Sequence, residues 1–308
     1  MQSMALPGLR ERVGAYVALT KPRIIELLLV TTVPTMVVAQ AQLHPSGDIW
    51  DRLPSGWLVV ATVLGGAFAA GGANAINMYV DRDIDARMRR TSKRPLVTGV
   101  IEPRSALIFA IALEVVAFVW MWALVNPLSA VLAVSACLFY VFVYTLWLKR
   151  TSRQNIVIGG AAGAVPVLIG WSSVTNSLGW APLVLFAVIF FWTPPHFWAL
   201  AIKYKDDYAA ADVPMLPAVA SYRHTCNQIL AYTVVVWACS LVFTPVAGMG
   251  LLYVAAALVL GGIFTWMAYE VRATESPRKA MRLFTFSITY ITLLFAAMAL
   301  DALLRPVA

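Results

Sequence analysis

Asn77, Asp81 and Asp85 stand four residues apart in the run NAINMYVDRDIDARMRR. On a helix, positions i, i+4 and i+8 share one face. At 1.5 Å of rise per residue they cover about 12 Å along the axis. One amide and two carboxylates therefore line up at the end of an apolar stretch that begins near Trp57, and Arg87, Arg89, Arg90, Lys93 and Arg94 follow at once. Carboxylates at a membrane edge are costly unless they bind something. A hard divalent cation with a phosphorylated ligand is the simplest occupant, because Mg²⁺ prefers carboxylate oxygens together with substrate phosphates. Asp83 is two residues from both acids and points away on a regular helix. The metal therefore falls to Asp81 and Asp85, with Asn77 in support. Lys93 and Arg94 can hold diphosphate oxygens by charge-assisted hydrogen bonds. The competing reading is a juxtamembrane helix end whose acids pair with neighbouring arginines, since such surface pairs are common and weak.

Three further groups of residues could carry chemistry. Lys203 and Asp207 are four apart and share a face if their helix continues, which would turn Asp207 towards the first ladder as another metal ligand. Asp206 and Asp207 equally suit a solvated charged loop. Lys149, Arg150, Arg153 and Asn155 follow Tyr144 near another membrane edge. The charges there need no more than loop placement, whereas Tyr144 and Asn155 stand where a diphosphate would sit. The run FWTPPHFWAL places two prolines and His196 inside an apolar span. Prolines there remove backbone donors and kink the helix. A histidine within the membrane is a functional hypothesis by default. Three roles stay open for His196: haem-iron ligand, proton carrier, or bonded packing residue. Some of the abundant aromatics could line a pocket that shields a carbocation.

The elements that must position these groups are transmembrane helices. The 308 residues are 61% hydrophobic and 12% charged, about half the charged fraction of a soluble domain. Nine spans of the length needed to cross about 30 Å of hydrocarbon run near 24–41, 57–79, 104–124, 128–148, 155–174, 180–201, 228–246, 249–270 and 283–303. The expected fold is all-α, a polytopic integral membrane protein with a single domain over 1–308. The net charge of +8 does not call for nucleic acid, because Lys and Arg collect on cytoplasmic loops. They do so in alternate connections here, which places the N-terminus in the cytoplasm and the C-terminus outside. Two long connections, about 80–103 and 202–227, follow spans two and six. That spacing suggests two related four-helix halves plus a ninth helix. Cys137, Cys226 and Cys239 have neither disulfide-framework nor CxxC spacing and read as packing residues. The N-terminal segment shows no signal-peptide pattern and no convincing mitochondrial presequence, so the cell inner membrane is favoured over the mitochondrial one.

Nearly the whole chain, from LTKPRI at 19–24 to the last span, resembles the intramembrane prenyltransferases of the UbiA type. The run NMYVDRDIDARMRRTSKRPL looks like their first aspartate-rich motif. The segments TSKRPLVTG, YTLWLKRTSRQNIVIGGAAGAVPVLIGW and WTPPHFWALAIKYKDDYAAADVPMLP resemble the branch whose acceptor is haem b. The resemblance implies nine helices around a central cavity and two Asp-rich sites holding Mg²⁺ and diphosphate near the cytoplasmic face. Carried onto this chain, the first site is Asn77, Asp81 and Asp85 with Lys93 and Arg94. The second departs from the family pattern, since Asp207 is followed at i+4 by Ala211 and the matching carboxylate is absent. The implied reaction moves the farnesyl group of farnesyl diphosphate onto a vinyl group of haem b. Lys93, Arg94 and Lys203 would steady the leaving group, and water would capture the final cation. A haem A synthase is an implied partner.

Three rivals remain, of which a haem-binding assembly or chaperone protein would need no Asp ladder at all. Another prenyltransferase of the type would use a quinone precursor or chlorophyllide, which the ladder cannot distinguish because it serves only the diphosphate. A cation-coupled transporter would use Asp81 and Asp85 as ion sites, but would want them near the bilayer midplane rather than beside cations at its edge.

Overall fold

The computed structural model describes residues 8–304, without the side chains of 23–29. Its elements are helices: α1 (Leu9–Thr20), α2 (Pro22–Leu43), α3 (Gly56–Val80), α4 (Arg82–Arg87), α5 (Pro103–Leu124) and α6 (Pro127–Leu138). A π-helix over Phe139–Leu148 continues α6 directly into the single turn α7 (Lys149–Thr151). Then come α8 (Asn155–Thr175), α9 (Trp180–Lys203), α10 (Lys205–Ala210), α11 (Leu216–Val219), α12 (Tyr222–Ala247), α13 (Leu251–Thr274) and α14 (Pro277–Leu304).

Local chemistry explains where these helices start and stop. Pro22, Pro103 and Pro127 each occupy a first turn, where a missing N–H costs nothing. Ser55, Asn126 and Ser221 cap their helices by accepting from Leu58 N, Ser129 N and His224 N. Asn176, Gly248 and Glu275 end theirs in the left-handed conformation.

Among the described residues, eight helices are long and apolar enough to cross a membrane. They match the expected spans two to nine, with the stretch 127–151 counted as one helix. The expected first span, 24–41, falls on α2. That helix has 22 residues, but its side chains at 23–29 lie outside the described residues, so the described chain supports eight spans rather than nine.

The long helices form a closed ring. α3 packs on α5, then α5 on α6, α6 on α8, α8 on α9, α9 on α12, α12 on α13, α13 on α14, α14 on α2, and α2 on α3. Close approach inside the ring needs small residues. A Cβ on Gly170 of α8 would lie 2.6 Å from the Thr32 carbonyl oxygen of α2. The largest core runs through α9, α12, α13 and α14, with Trp198, Phe243, Tyr253, Phe264 and Tyr290 fully buried. Both long connections emerge where α3 and α9 end, and they touch: Arg87 donates to Asp212 at 2.5 Å and the Arg90 amide to Asp207 Oδ2 at 3.3 Å.

Candidate active site

Helix α3 stops at Val80, and Asp81 takes φ −85°, ψ 7° before α4 begins. The ladder survives this break because the Asp85 amide donates to the Asp81 carbonyl at 2.8 Å. Asn77, Asp81 and Asp85 are 3%, 0% and 2% exposed. Asn77 Nδ2 donates to Asp81 Oδ2 at 2.7 Å and to Thr145 Oγ1 at 3.1 Å, while Asn77 Oδ1 accepts from Lys21 Nζ at 3.0 Å. Asp85 Oδ2 accepts from Arg94 Nη1 at 2.5 Å. Lys149 Nζ sits on Asp81 Oδ2. Asp81 Oδ1 has no hydrogen-bond partner, and Arg150 Nη2 lies 3.7 Å from it.

Lys149 arrives there because the preceding helix is wide. In a π-helix each N–H bonds five residues back. In an α-helix, nine residues are about two and a half turns, so Tyr140 and Lys149 would face opposite ways. Here Tyr140, Tyr144 and Lys149 all line one cavity. The two tyrosine rings stack with centroids 5.3 Å apart. Tyr144 lies over Gly159 of α8, where a Cβ would come within 2.2 Å of its ring.

That cavity has a volume of about 500 Å³ and runs from this charged mouth into the ring of helices. Asn77, Asp85, Arg90, Arg94, Lys21 and Lys149 line the mouth. Deeper, the wall is small and apolar on α3 (Gly66, Ala70, Ala73) and α8 (Gly159, Gly163), with Thr62 and Ile169 further in. Burial, with repulsion from Arg94 and Lys149, pulls the Lys21 ammonium down to about 7.

The structure sorts the other expected site residues. Lys93 is exposed and off the cavity wall. Arg150 turns outward to a two-pronged pair with Asp83, both contacts 2.8 Å, and Asp83 points away from the ladder as its spacing predicts. Asn155 is fully buried with both amide atoms unpartnered, beside the wall residue Ile156. The shared face of Lys203 and Asp207 is corrected: α9 ends at Lys203, Tyr204 breaks the helix, and Lys203 is exposed with its ammonium 5.5 Å from the Tyr204 ring centroid. Asp207 ties the two loops together by accepting from the amide of Arg90, itself a residue of the cavity mouth. His196 sits as a bonded packing residue. Its Nδ1 shares a 2.6 Å hydrogen bond with Ser287 Oγ, its ring stacks on Trp192 at 4.3 Å and meets Phe284 at 4.6 Å, and it does not line the cavity.

Four residues of the site were given no role by the sequence reading: Lys21, Arg90, Tyr140 and Thr145; Tyr208, grouped there with Lys203 and Asp207, lines the cavity. Lys21 carried a usable signal, since it precedes a proline at the start of a span. It adopts φ 51°, which is uncommon for a residue with a side chain.

The donor set fits a hard divalent cation. Asp85 and the Asn77 amide line a mouth ringed by cations, and Asp81 lies buried behind them with its Oδ1 an oxygen without a donor. Mg²⁺ can use such a set, since it takes one or two carboxylates and completes its shell with water and phosphate.

Comparison with known proteins adds kinship. Residues 28–297 match the UbiA prenyltransferase family. The chain is 54% identical over 300 residues to a protoheme IX farnesyltransferase of Streptomyces avermitilis, covering 96% of this chain and 95% of that one. It is 51% identical over 300 residues to the protein of the same name from Clavibacter michiganensis subsp. michiganensis, with the same coverage. Among solved structures, a digeranylgeranylglyceryl phosphate synthase superposes with TM-score 0.73 at 16% identity, covering 96% of this chain and 100% of that one. A UbiA homologue from Archaeoglobus fulgidus bound to GPP and Mg²⁺ gives TM-score 0.58 at 16% identity, covering 92% and 99%.

Proposed function

The chain belongs to the UbiA prenyltransferase family, and we propose that it transfers the farnesyl group of farnesyl diphosphate to a vinyl group of haem b, with water addition, giving haem O and diphosphate. The observation that carries this reading is identity above 50% over nearly the full length to proteins named for that activity. The site geometry supports it: a cationic mouth with two buried carboxylates opens on an apolar cavity.

In this reading the diphosphate rests at the mouth among Lys21, Arg90, Arg94 and Lys149. Asp81 and Asp85, with Asn77, would hold Mg²⁺, the ion bound with GPP in the A. fulgidus homologue. The bound ion supplies charge neutralisation for the leaving group. As the bond to the allylic carbon breaks, its electron pair passes to the diphosphate oxygen, where the fixed cations stabilise the growing charge. The farnesyl chain lies along the small-residue wall of α3 and α8. Tyr140 and Tyr144 offer aromatic faces to the allylic cation. The vinyl π electrons attack that carbon, water adds to the resulting cation, and a proton leaves. The apolar cavity limits early capture by water.

The membrane spans make this an integral membrane enzyme. We place it in the cell inner membrane, with the mouth and N-terminus cytoplasmic and the C-terminus outside.

Purified protein is incubated with haem b, farnesyl diphosphate and Mg²⁺, and the extracted haem is weighed by mass spectrometry. The expected product carries one added farnesyl group and one added hydroxyl. Asp81→Asn and Asp85→Asn should each cut its formation by about a hundredfold or more while leaving the protein folded. Unchanged haem alongside prenylation of a quinone precursor would overturn the acceptor, and full activity in either variant would overturn the metal site.

A further inference from the structure

The orientation of the Asn77 amide decides what it can offer a cation, and Thr145 controls that orientation. An amide presents an oxygen on one side and two N–H donors on the other. Asn77 spends both donors, one on Asp81 Oδ2 at 2.7 Å and one on Thr145 Oγ1 at 3.1 Å. Its oxygen is left facing Lys21, on the cavity side. The reverse orientation would set the amide oxygen against the Asp81 carboxylate.

Thr145 can accept from Asn77 because its single hydroxyl proton is committed elsewhere. That proton goes to the Tyr140 carbonyl at 2.9 Å, five residues back. Helical hydroxyls ordinarily return to the carbonyl three or four residues back, as Thr35, Thr193 and Ser240 do here. Reaching back five is a property of the π-helix. The side chain is wholly buried, so no water competes for either bond.

We propose that Thr145, held by the π-helical turn, is a positioning residue that locks the Asn77 amide with its nitrogen on Asp81 and its oxygen towards the cavity. This rests on the reading of Asn77, Asp81 and Asp85 as the metal–diphosphate site. Thr145 touches neither substrate nor metal and acts only through Asn77. Without its hydroxyl, one amide donor is left unpaired and the amide is free to turn.

The test measures Mg²⁺-dependent binding of farnesyl thiodiphosphate, a slowly reacting analogue, by isothermal titration of the purified full-length protein in detergent. Thr145→Val should weaken binding about tenfold, the scale of one unsatisfied buried donor. Thr145→Ser, which keeps the hydroxyl, should restore binding close to wild type. In an Asn77→Ala background, Thr145→Val should cost almost nothing more, because the two changes remove one interaction. Thr145→Ala serves the same purpose if the valine variant does not fold. Wild-type affinity in Thr145→Val, equal losses in the valine and serine variants, or an undiminished loss in the Asn77→Ala background would each overturn the proposal. If Asn77→Ala alone binds like wild type, the reading of the metal site fails as well. If Asn77→Ala is weak and Thr145→Val is not, the role of Thr145 alone fails.

Discussion

Lys149 lies directly on the Asp81 carboxylate across 68 residues of sequence. Both side chains are largely out of water, with 13% and 0% of their area exposed. A buried pair is weak evidence of stabilisation, but removing one partner strands the other charge and costs about 3–5 kcal/mol. Lys149→Met should therefore lower the unfolding midpoint in metal-free buffer. Millimolar Mg²⁺ should recover more of it in the variant than in the wild type, because an ion that binds only the folded state stabilises by mass action. A thermal-shift titration reads this directly. An equal Mg²⁺ shift in both proteins would mean that Asp81 is not the group the ion meets.

Gly159 gives Tyr144 its place on the cavity wall. A Cβ there would lie 2.2 Å from Cδ2 of the ring, so Gly159→Ala must drive the tyrosine aside. Overpacking of this kind costs about 1–3 kcal/mol. Displacement of a wall residue by an ångström can cost far more in rate than in stability. The expected outcome is a fall of about tenfold or more in kcat/KM for farnesyl diphosphate, with the membrane-inserted fold retained. Gly159→Ala with Tyr144→Ala should recover part of that loss, since the clash is gone. No recovery would place the defect in α8 itself.

How far these relationships were legible depends on whether the helical period held. The spacing of Asn77, Asp81 and Asp85 was readable because one backbone bond, from Asp85 to Asp81, carries the i+4 register across a broken helix. The pairing of Lys203 with Asp207 failed where no such bond kept the helix straight through Tyr204. Lys149 was nameable from its charge, but its partner was not, because a ten-residue π-helix shifts every face away from the period of 3.6. Lys21 and Arg90 were hidden by the positive-inside rule, which explains a cytoplasmic cation so readily that it hides one bound to the site. The spans, set by hydrophobicity alone, were the easiest part to read.

Asp83 gives a pH dependence whose direction follows from its partner. The hydrogen bond from Arg150 holds its carboxyl at about 2, below its ordinary 3.8. A group depressed in the folded state adds stability at pH values above its ordinary range, and that contribution is lost as the pH falls from about 4 to about 2. The Asp83 side chain is 60% exposed, so solvent screening keeps the gain below about 1 kcal/mol. Asp83→Asn should lower the unfolding midpoint slightly at pH 7, and the gap to wild type should close as the pH approaches 2. A gap that persists at the acid end would assign the effect to packing instead.

His196 separates a haem ligand from a packing residue. Its ring is enclosed by Trp192, Phe284 and Phe197, with Nδ1 committed to Ser287. Removing a buried ring of this kind should cost about 2–4 kcal/mol, from the cavity left behind and from the lost hydrogen bond. His196→Ala should therefore unfold at lower temperature while binding haem b with unchanged affinity and an unchanged absorption spectrum. An axial ligand would behave in the opposite way, because its loss alters the spectrum of the iron whatever happens to stability. A shifted spectrum with an intact unfolding midpoint would return His196 to the haem, from a helix whose Trp192, Thr193 and Phe197 already line the cavity.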